Sequence, residues 1–262
     1  MDAVRLYGKT PYTVAVIHGG PGAPGSMAPV ARELAAGWGV LEPLQRAESL
    51  DGQVRELREA LDLHADLPVT LVGWSWGAML AFIFAARHPQ HVKKLILVSS
   101  GGYEDRYGPP VMAARLSRLD EADRCACDAL LAALDDPAVG DKDAILAELG
   151  DFFETKTDTY RALPHESEAL EVSYTVHQRV WAEASALRAS GDLLALGKHI
   201  RCPVVAIHGD YDPHPVEGVR DALAPVLADF RFILLPTCGH TPWIEAEARE
   251  PFFDLLRREL AT

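Results

Sequence analysis

The segment from residue 69 to residue 79 holds the first side chain that could do covalent chemistry. It reads as an apolar strand, then Gly73-Trp74-Ser75-Trp76-Gly77, then a helix. A serine at such a turn needs small flanking residues, because the turn brings backbone close to backbone. The start of the following helix also favours developing negative charge. We therefore predict Ser75 as a nucleophile; the alternative is a serine that serves only as the helix N-cap.

A serine hydroxyl is a poor nucleophile at neutral pH and needs a base. Among the ten histidines, His240 follows Gly239 at the carboxyl end of a predicted strand, where catalytic groups gather in open α/β sheets. An acid must also fix the tautomer of that imidazole. The loop after a strand at Val204–His208 offers Asp212 as the acid, with Asp210 as an open alternative.

Four alternating residues in the acid segment could instead ligate a metal: His208, Asp210, Asp212 and His214. A continued strand would place all four on one face, which suits a divalent ion. Gly209 and Pro213 indicate that the chain turns there, so we expect no metal and no cofactor. The four cysteines show no paired zinc-ligand spacing, and we expect free thiols in a cytoplasmic protein.

A glycine-rich loop, His18-Gly19-Gly20-Pro21-Gly22, directly follows another predicted strand. Such a loop exposes backbone N–H groups, and the oxyanion of a tetrahedral intermediate needs two donors of this kind. We predict that the N–H groups of Trp76 and Gly20 supply them. The alternative is a plain turn. A phosphate or dinucleotide site is disfavoured, because the loop lacks both G-x-x-x-x-G-K-[ST] and G-x-G-x-x-G.

The elements that must position these residues alternate between strands and helices. The predicted strands are Val4–Tyr7, Thr13–His18, Val40–Leu44, Val69–Gly73, Leu95–Ser99, Val204–His208 and Phe230–Leu235. The predicted helices around them are Met27–Ala36, Leu50–Ala65, Trp76–Arg87, Val216–Ala228 and Ile244–Leu260. Strands apolar on both faces, alternating with helices, predict an α/β fold with a mostly parallel, doubly wound sheet.

The alternation stops between Tyr103 and Leu196, where helical patterns such as Asp128–Leu134, Asp143–Phe153 and Val172–Leu187 replace it. We therefore predict a core made of residues 1–102 and 197–262, with a helical lid insertion at residues 103–196.

Composition limits the partners. The 262 residues carry a net charge of −13, which disfavours nucleic acid and anionic membranes, since both need clustered positive charge. The first residues show no signal-peptide pattern, and the longest apolar run, Ala78–Ala86, is far too short to span a membrane. We expect an enzyme that acts on small molecules.

The motifs taken together resemble the α/β-hydrolase serine hydrolases. In that family the nucleophile, the acid and the base follow one another along the chain, as Ser75, Asp212 and His240 do here. The H-G-G-P-G loop and the G-W-S-W-G turn are most similar to the proline iminopeptidase branch. That branch usually carries Asp-Gln-Arg-Gly-x-Gly-x-Ser after the next strand. Here the stretch Glu42–Ser49 keeps Gln45-Arg46 and Ser49 but no glycine, so peptide specificity does not follow.

The resemblance implies a cofactor-independent hydrolase acting through an acyl-enzyme on a small ester, amide or short peptide. We expect a carboxylesterase first and an iminopeptidase-like aminopeptidase second. A non-catalytic binding protein and a C–C hydrolase or lyase on the same fold remain open. In the iminopeptidase branch, lid glutamates bind the substrate amino group. The corresponding candidates here are Glu154, Glu166, Glu168, Glu171 and Glu183, with Trp181 as a possible pocket wall.

Overall fold

The computed structural model describes residues 3–165 and 169–262. Its strands are β1 (Val4–Tyr7), β2 (Tyr12–Ile17), β3 (Gly39–Pro43), β4 (Val69–Trp74), β5 (Val92–Val98), β6 (Val204–Gly209) and β7 (Phe230–Leu235). Within the described residues they form one seven-stranded sheet in the order β1-β3-β2-β4-β5-β6-β7. The edge strand β1 runs antiparallel to β3, and the other neighbouring pairs are parallel. The predicted α/β fold with a mostly parallel sheet is confirmed.

The helices are α1 (Ala28–Leu34), α2 (Leu50–His64), α3 (Trp76–Arg87), α4 (Pro109–Ser117), α5 (Glu121–Asp135), α6 (Lys142–Phe153), α7 (Tyr174–Ser190), α8 (Asp192–Ala195), α9 (Arg220–Leu223) and α10 (Arg249–Leu260). Successive β2 residues face opposite sides of the sheet. Val14 and Val16 pack with α1 and α10, whereas Ala15 and Ile17 pack with α2 and α3. Burial on both faces explains why this strand reads as a continuous apolar run.

The chain between β5 and β6 forms α4 to α8. Helices α5 and α6 enclose a small apolar cluster of their own: Leu119, Cys127, Leu134, Leu149 and Phe153. Helix α7 instead joins the main core through Val176 and Val180. The division into a core and a 103–196 lid stays a prediction. Throughout residues 3–165 and 169–262, no helix has both the length and the apolar character that crossing a membrane requires.

Two predicted helices are wrong in extent. The helix expected over Val216–Ala228 is reduced to a short turn and α9, which ends at Leu223. Pro225 explains this, because its ring clashes with a preceding helical turn and it has no N–H to donate. The closing helix begins at Arg249 rather than Ile244, because Glu245 forms a β-bridge with Ala162 of the insertion. Tertiary pairing thus replaces the first helical turn.

Helix α4 is not among the helical patterns named from the sequence. It begins with Pro109-Pro110, residues that would interrupt a helix in its interior. The first helical position needs no N–H donor, and proline already has a helical φ, so the pair starts a helix as readily as it stops one.

Candidate active site

Ser75 occupies the turn between β4 and α3 with a strained backbone, φ 55° and ψ −118°. Such a conformation costs a non-glycine residue about 1–3 kcal/mol and persists only where the surroundings enforce it. The Ser75 N–H donates to the Val98 carbonyl of β5 at 3.0 Å. Gly77 lets the turn approach β2, because a Cβ at this position would lie 2.2 Å from the Ile17 carbonyl oxygen. Packing therefore holds the serine at the carboxyl edge of the sheet.

The Ser75 hydroxyl meets the ring of His240, with 3.0 Å between Oγ and Nε2. It makes no N-cap hydrogen bond to α3, so the simple capping role is wrong. The backbone of His240 is held on two sides. Its N–H donates to the Asp158 carbonyl at 2.7 Å, and its carbonyl accepts from Trp74 Nε1 at 2.8 Å. These bonds fix where the imidazole can point.

Asp212 completes the hydrogen-bonded chain, because its Oδ2 lies 2.9 Å from Nδ1 of His240. Its side chain is fully buried. Asp210, the alternative acid, is exposed and accepts the Cys238 N–H at 3.2 Å. Asp210 therefore braces the loop that leads to His240, while Asp212 contacts the ring itself.

Charge and burial act in opposite directions at this pair. Burial alone would raise the pKa of the Asp212 carboxyl and lower that of the His240 imidazole, since it penalises each charged form. Their mutual attraction outweighs burial, and His208 and His214 also favour the carboxylate. The pKa of Asp212 therefore lies well below its ordinary value, and that of His240 lies above its ordinary value. Asp212 stays ionised at neutral pH and can stabilise an imidazolium.

The two predicted oxyanion donors lie on adjoining loops. Trp76 is the first residue of α3, so its N–H has no acceptor within that helix. Gly20 has φ +53° in a tight turn, closed by the Ala23 N–H donating to the Gly20 carbonyl at 3.1 Å. The close approach of Gly77 to the His18 carbonyl shows that the two loops are in contact. The donor roles of Gly20 and Trp76 stay predictions.

The four-residue metal face does not form. Asp210 turns away to Cys238, and His208 Nε2 donates to the His214 carbonyl at 3.0 Å. Among the described residues, a compact donor set is formed by Asp212, His214 and His240, with ligand atoms within 4.8 Å of one another. Both carboxylate oxygens of Asp212 are already hydrogen-bonded to these rings.

The insertion is tied to the His240 loop through Glu245, which sequence reasoning missed. This carboxylate is completely buried and accepts three backbone N–H groups, from Gly239 at 2.6 Å and from Tyr160 and Arg161 at 2.8 Å each. One side chain therefore joins the residue before the base to residues 160 and 161, in the middle of the insertion. In the sequence, Glu245 resembles any charged residue near a helix start.

A buried ion pair supports the same region. Arg115 of α4 contacts Asp158 at 2.9 Å through Nε and at 2.5 Å through Nη2. The carbonyl of Asp158 is the acceptor that holds the His240 N–H. The pair spans 43 residues of chain without a motif, so no local signal could have revealed it.

Five glutamates were candidates for binding a cationic group: Glu154, Glu166, Glu168, Glu171 and Glu183, of which the second and third lie outside the described residues. Glu171 forms an ion pair with Arg46 at 2.7 Å. Glu183 accepts the N–H of Leu50 at 2.7 Å, at the first residue of α2. Both carboxylates therefore have structural partners.

Glu154 lines a cavity of about 230 Å³ beside the residue that follows the base. Its Oε2 accepts from the Thr241 hydroxyl at 3.3 Å, and its Oε1 lies 2.9 Å from His165 Nε2. Trp74 and Trp243 form an aromatic wall, packed edge to face with ring centroids 4.9 Å apart. An acidic group and apolar surface thus share one cavity next to His240.

Trp181 packs against the residue that follows the nucleophile. Its ring lies edge-on to Trp76, 6.2 Å between centroids, and stacks on His177 at 6.3 Å. Helix α7 therefore covers the start of α3.

Comparison with known proteins identifies the family and the fold. The family described as "alpha/beta hydrolase fold" matches residues 21–247. A pimeloyl-[acyl-carrier protein] methyl ester esterase of Chromobacterium violaceum is 29% identical over 206 residues, which cover 78% of this chain and 74% of that protein.

Two solved structures show the same fold over nearly the whole chain. The proline iminopeptidase of Mycobacterium smegmatis has a TM-score of 0.62 at 17% identity, covering 98% of this chain and 93% of its own. The enol-lactonase of Burkholderia xenovorans LB400 has a TM-score of 0.62 at 18% identity, covering 99% and 96%. With a family match that spans most of its length, this chain belongs to the α/β-hydrolase family.

Proposed function

We propose that this protein is a serine hydrolase that cleaves a small ester through an acyl-enzyme, with Ser75 as nucleophile, His240 as base and Asp212 as orienting acid. The observation that carries the proposal is the unbroken hydrogen-bonded chain, 3.0 Å from Ser75 Oγ to His240 Nε2 and 2.9 Å from His240 Nδ1 to Asp212 Oδ2. Serine hydrolase triads share this geometry whatever their positions in the sequence, and the geometry therefore supports the proposal.

In the first half-reaction Ser75 Oγ forms a bond to the carbonyl carbon while His240 Nε2 takes the hydroxyl proton. The carbonyl electrons move onto oxygen, and the N–H groups of Gly20 and Trp76 stabilise that oxyanion. Collapse of the intermediate breaks the bond to the leaving group, which receives the proton from His240. Water then repeats the sequence on the acyl-enzyme, with His240 again as base, and releases the acid.

The decisive experiment compares wild type and Ser75→Ala on p-nitrophenyl acetate. We expect turnover to fall to the solution background in the variant, with unchanged circular dichroism. Ser117→Ala is a matched control, because Ser117 is an exposed serine on α4. A fluorophosphonate probe should label Ser75 and lose its signal in Ser75→Ala. Full turnover in that variant, or labelling at another serine, would overturn the assignment.

Ester substrates are favoured over amides by two of the comparisons. The sequence relative is an esterase for a methyl ester, and one structural neighbour is an enol-lactonase. An ester also depends less on proton donation by His240, because an alkoxide is a better leaving group than the amide anion that an unprotonated nitrogen would form. A panel of p-nitrophenyl esters and aminoacyl-arylamides tests this preference, and faster turnover of the arylamides would contradict it.

Aminopeptidase activity is the second candidate, and the acidic cavity beside His240 favours it. Glu154 could bind the ammonium group of an aminoacyl substrate there. If so, Glu154→Gln should raise KM for aminoacyl substrates and leave that for p-nitrophenyl acetate unchanged. Glu148→Gln is the matched control, because Glu148 is exposed on α6, the helix that ends one residue before Glu154. Equal effects of Glu154→Gln on both substrates would reject this role.

We also propose a cytoplasmic location. All four cysteines, which lie in the described part of the chain, are free thiols, as expected in a reducing compartment. Fractionation of the source cells, with Cys125 labelled as the exposed thiol, tests this. Recovery in an oxidising compartment would reject it.

A further inference from the structure

His214 lies in the active site with no role in the three-residue mechanism. Its backbone N–H and its ring Nδ1 both contact Asp212 Oδ1, at 2.9 Å and 2.7 Å. The other oxygen of the same carboxylate, Oδ2, contacts His240. A carboxylate only accepts, so His214 Nδ1 carries a proton and donates. Two imidazoles therefore share one aspartate, one on each oxygen.

His214 also touches the base directly. The rings of His214 and His240 are stacked, with centroids 4.7 Å apart and planes 28° from parallel. His208 fixes the backbone of His214, because its Nε2 donates to the His214 carbonyl at 3.0 Å. The His214 side chain is 16% exposed, so it is packed into the site rather than solvated.

We propose that His214 is a positioning residue that holds Asp212 by Oδ1 and supports the ring of His240, so that Oδ2 and the imidazole keep a productive alignment. This proposal rests on the serine-hydrolase function proposed above. It explains the alternating His-x-Asp-x-Asp-x-His pattern as residues that support the triad rather than as a metal site.

The direction of the effect on the base follows from the hydrogen bond. A donor on Oδ1 draws negative charge away from Oδ2 and so weakens the attraction between Asp212 and the His240 imidazolium. Removing that donor should therefore raise the pKa of His240. Asp158 and Arg115 from the insertion also face His240, and His208 Nε2 lies 3.7 Å from Asp212 Oδ2; all three residues are retained in the variants below.

Two substitutions separate the two contacts. His214→Phe keeps a ring to stack on His240 but has no donor for Asp212. His214→Asn keeps a donor near the position of Nδ1 but loses the ring. With p-nitrophenyl acetate we expect His214→Phe to lower kcat about tenfold at nearly constant KM, as for one lost hydrogen bond. In a plot of kcat/KM against pH, the rising part of the curve (the pH limb) should shift to higher pH by about half a unit in this variant.

His214→Asn should retain the wild-type pH limb and lower kcat less than the phenylalanine variant does. A purely structural role would lower the amount of folded enzyme in both variants without moving either limb. The far-downfield proton resonance of the His240–Asp212 hydrogen bond gives a second readout, independent of turnover, and should move in His214→Phe alone. This NMR resonance can be measured even in a variant with weak activity.

The proposal is overturned if His214→Phe has a kcat within twofold of wild type and an unmoved pH limb. It is also overturned if His214→Asn shifts the limb as far as His214→Phe does. Failure of the serine mechanism has a different signature: Ser75→Ala would retain turnover, and the fluorophosphonate probe would not label Ser75. Should His214→Phe not fold, His214→Leu makes the same loss of donor in a smaller side chain.

Discussion

Replacement of Glu245 by glutamine tests whether the insertion holds the base in place. Glutamine has nearly the same size but only one accepting oxygen. Placed where Oε1 lies, that oxygen keeps the Gly239 and Tyr160 contacts, and the new NH₂ group then faces the Arg161 N–H. One partly buried donor loses its acceptor, and the other two donors lose a charged partner.

The size of the effect can be worked from those three contacts. A buried donor left unsatisfied costs about 1–3 kcal/mol, and a hydrogen bond to a charged group is stronger than one to a neutral group. We therefore expect Glu245→Gln to lower the free energy of unfolding by about 2–3 kcal/mol. For a chain of this size this is a fall in Tm of roughly 5–10 °C.

Activity should fall as well, because the N–H of Gly239, directly before the base, then donates to a neutral oxygen on a side chain that has lost its Arg161 contact. A displacement of about 1 Å in a reacting group can cost 100-fold in rate, so we expect kcat to fall at least tenfold while KM changes little. Thermal unfolding followed by circular dichroism gives the first quantity, and initial rates with p-nitrophenyl acetate give the second.

Glu250→Gln is the matched control, since its side chain is 76% exposed and makes only a 3.9 Å contact with Arg249. We expect this control to behave as wild type in both measurements. If Glu245→Gln melts and turns over like wild type, the three hydrogen bonds do not position the His240 loop.

Three further predictions address the triad and its turn. Asp212→Asn should lower kcat on the order of 10⁴-fold while leaving the fold intact, because an amide no longer enforces the productive tautomer of His240; a loss below tenfold would contradict the acid role. Activity should rise with pH through the deprotonation of His240, and since its pKa is raised, the midpoint should lie above about 6.5; a pH–rate profile with its midpoint below about 6 would refute this sign. Gly77→Ala should fail to yield native, probe-reactive protein, because the new Cβ would lie 2.2 Å from the Ile17 carbonyl oxygen; normal labelling of Ser75 in that variant would refute it.

Local chemistry made part of the site predictable. The turn at Ser75 follows from nearby residues, since Gly73 and Gly77 are needed wherever a strand, a serine and a helix meet this tightly. The parallel sheet follows from apolar runs at regular intervals. Alternation of strand and helix then requires the ends of β2, β4, β6 and β7 to share one edge of the sheet, so the loops with candidate groups could be expected to meet there.

Element boundaries were less predictable where distant segments compete for the same backbone groups. The closing helix was expected from Ile244, but Glu245 and Ala246 bond to the insertion instead, through Ala162 and Arg161. A helical pattern in the sequence reports only the chain's local preference, and tertiary hydrogen bonds can outweigh it for one turn.

The sequence by itself determined the individual strands and helices and the tight turn at Ser75, because these depend on residues close together in the chain, and it also gave the order of serine, acid and base along the chain. The tertiary structure decided between the predicted acid, Asp212, and its alternative, Asp210, by bringing Asp212 onto the ring of His240. It also set His214 on the other carboxylate oxygen and fastened the insertion through Glu245. Such choices depend on how segments far apart in the chain pack against one another, and only the folded molecule sets that packing.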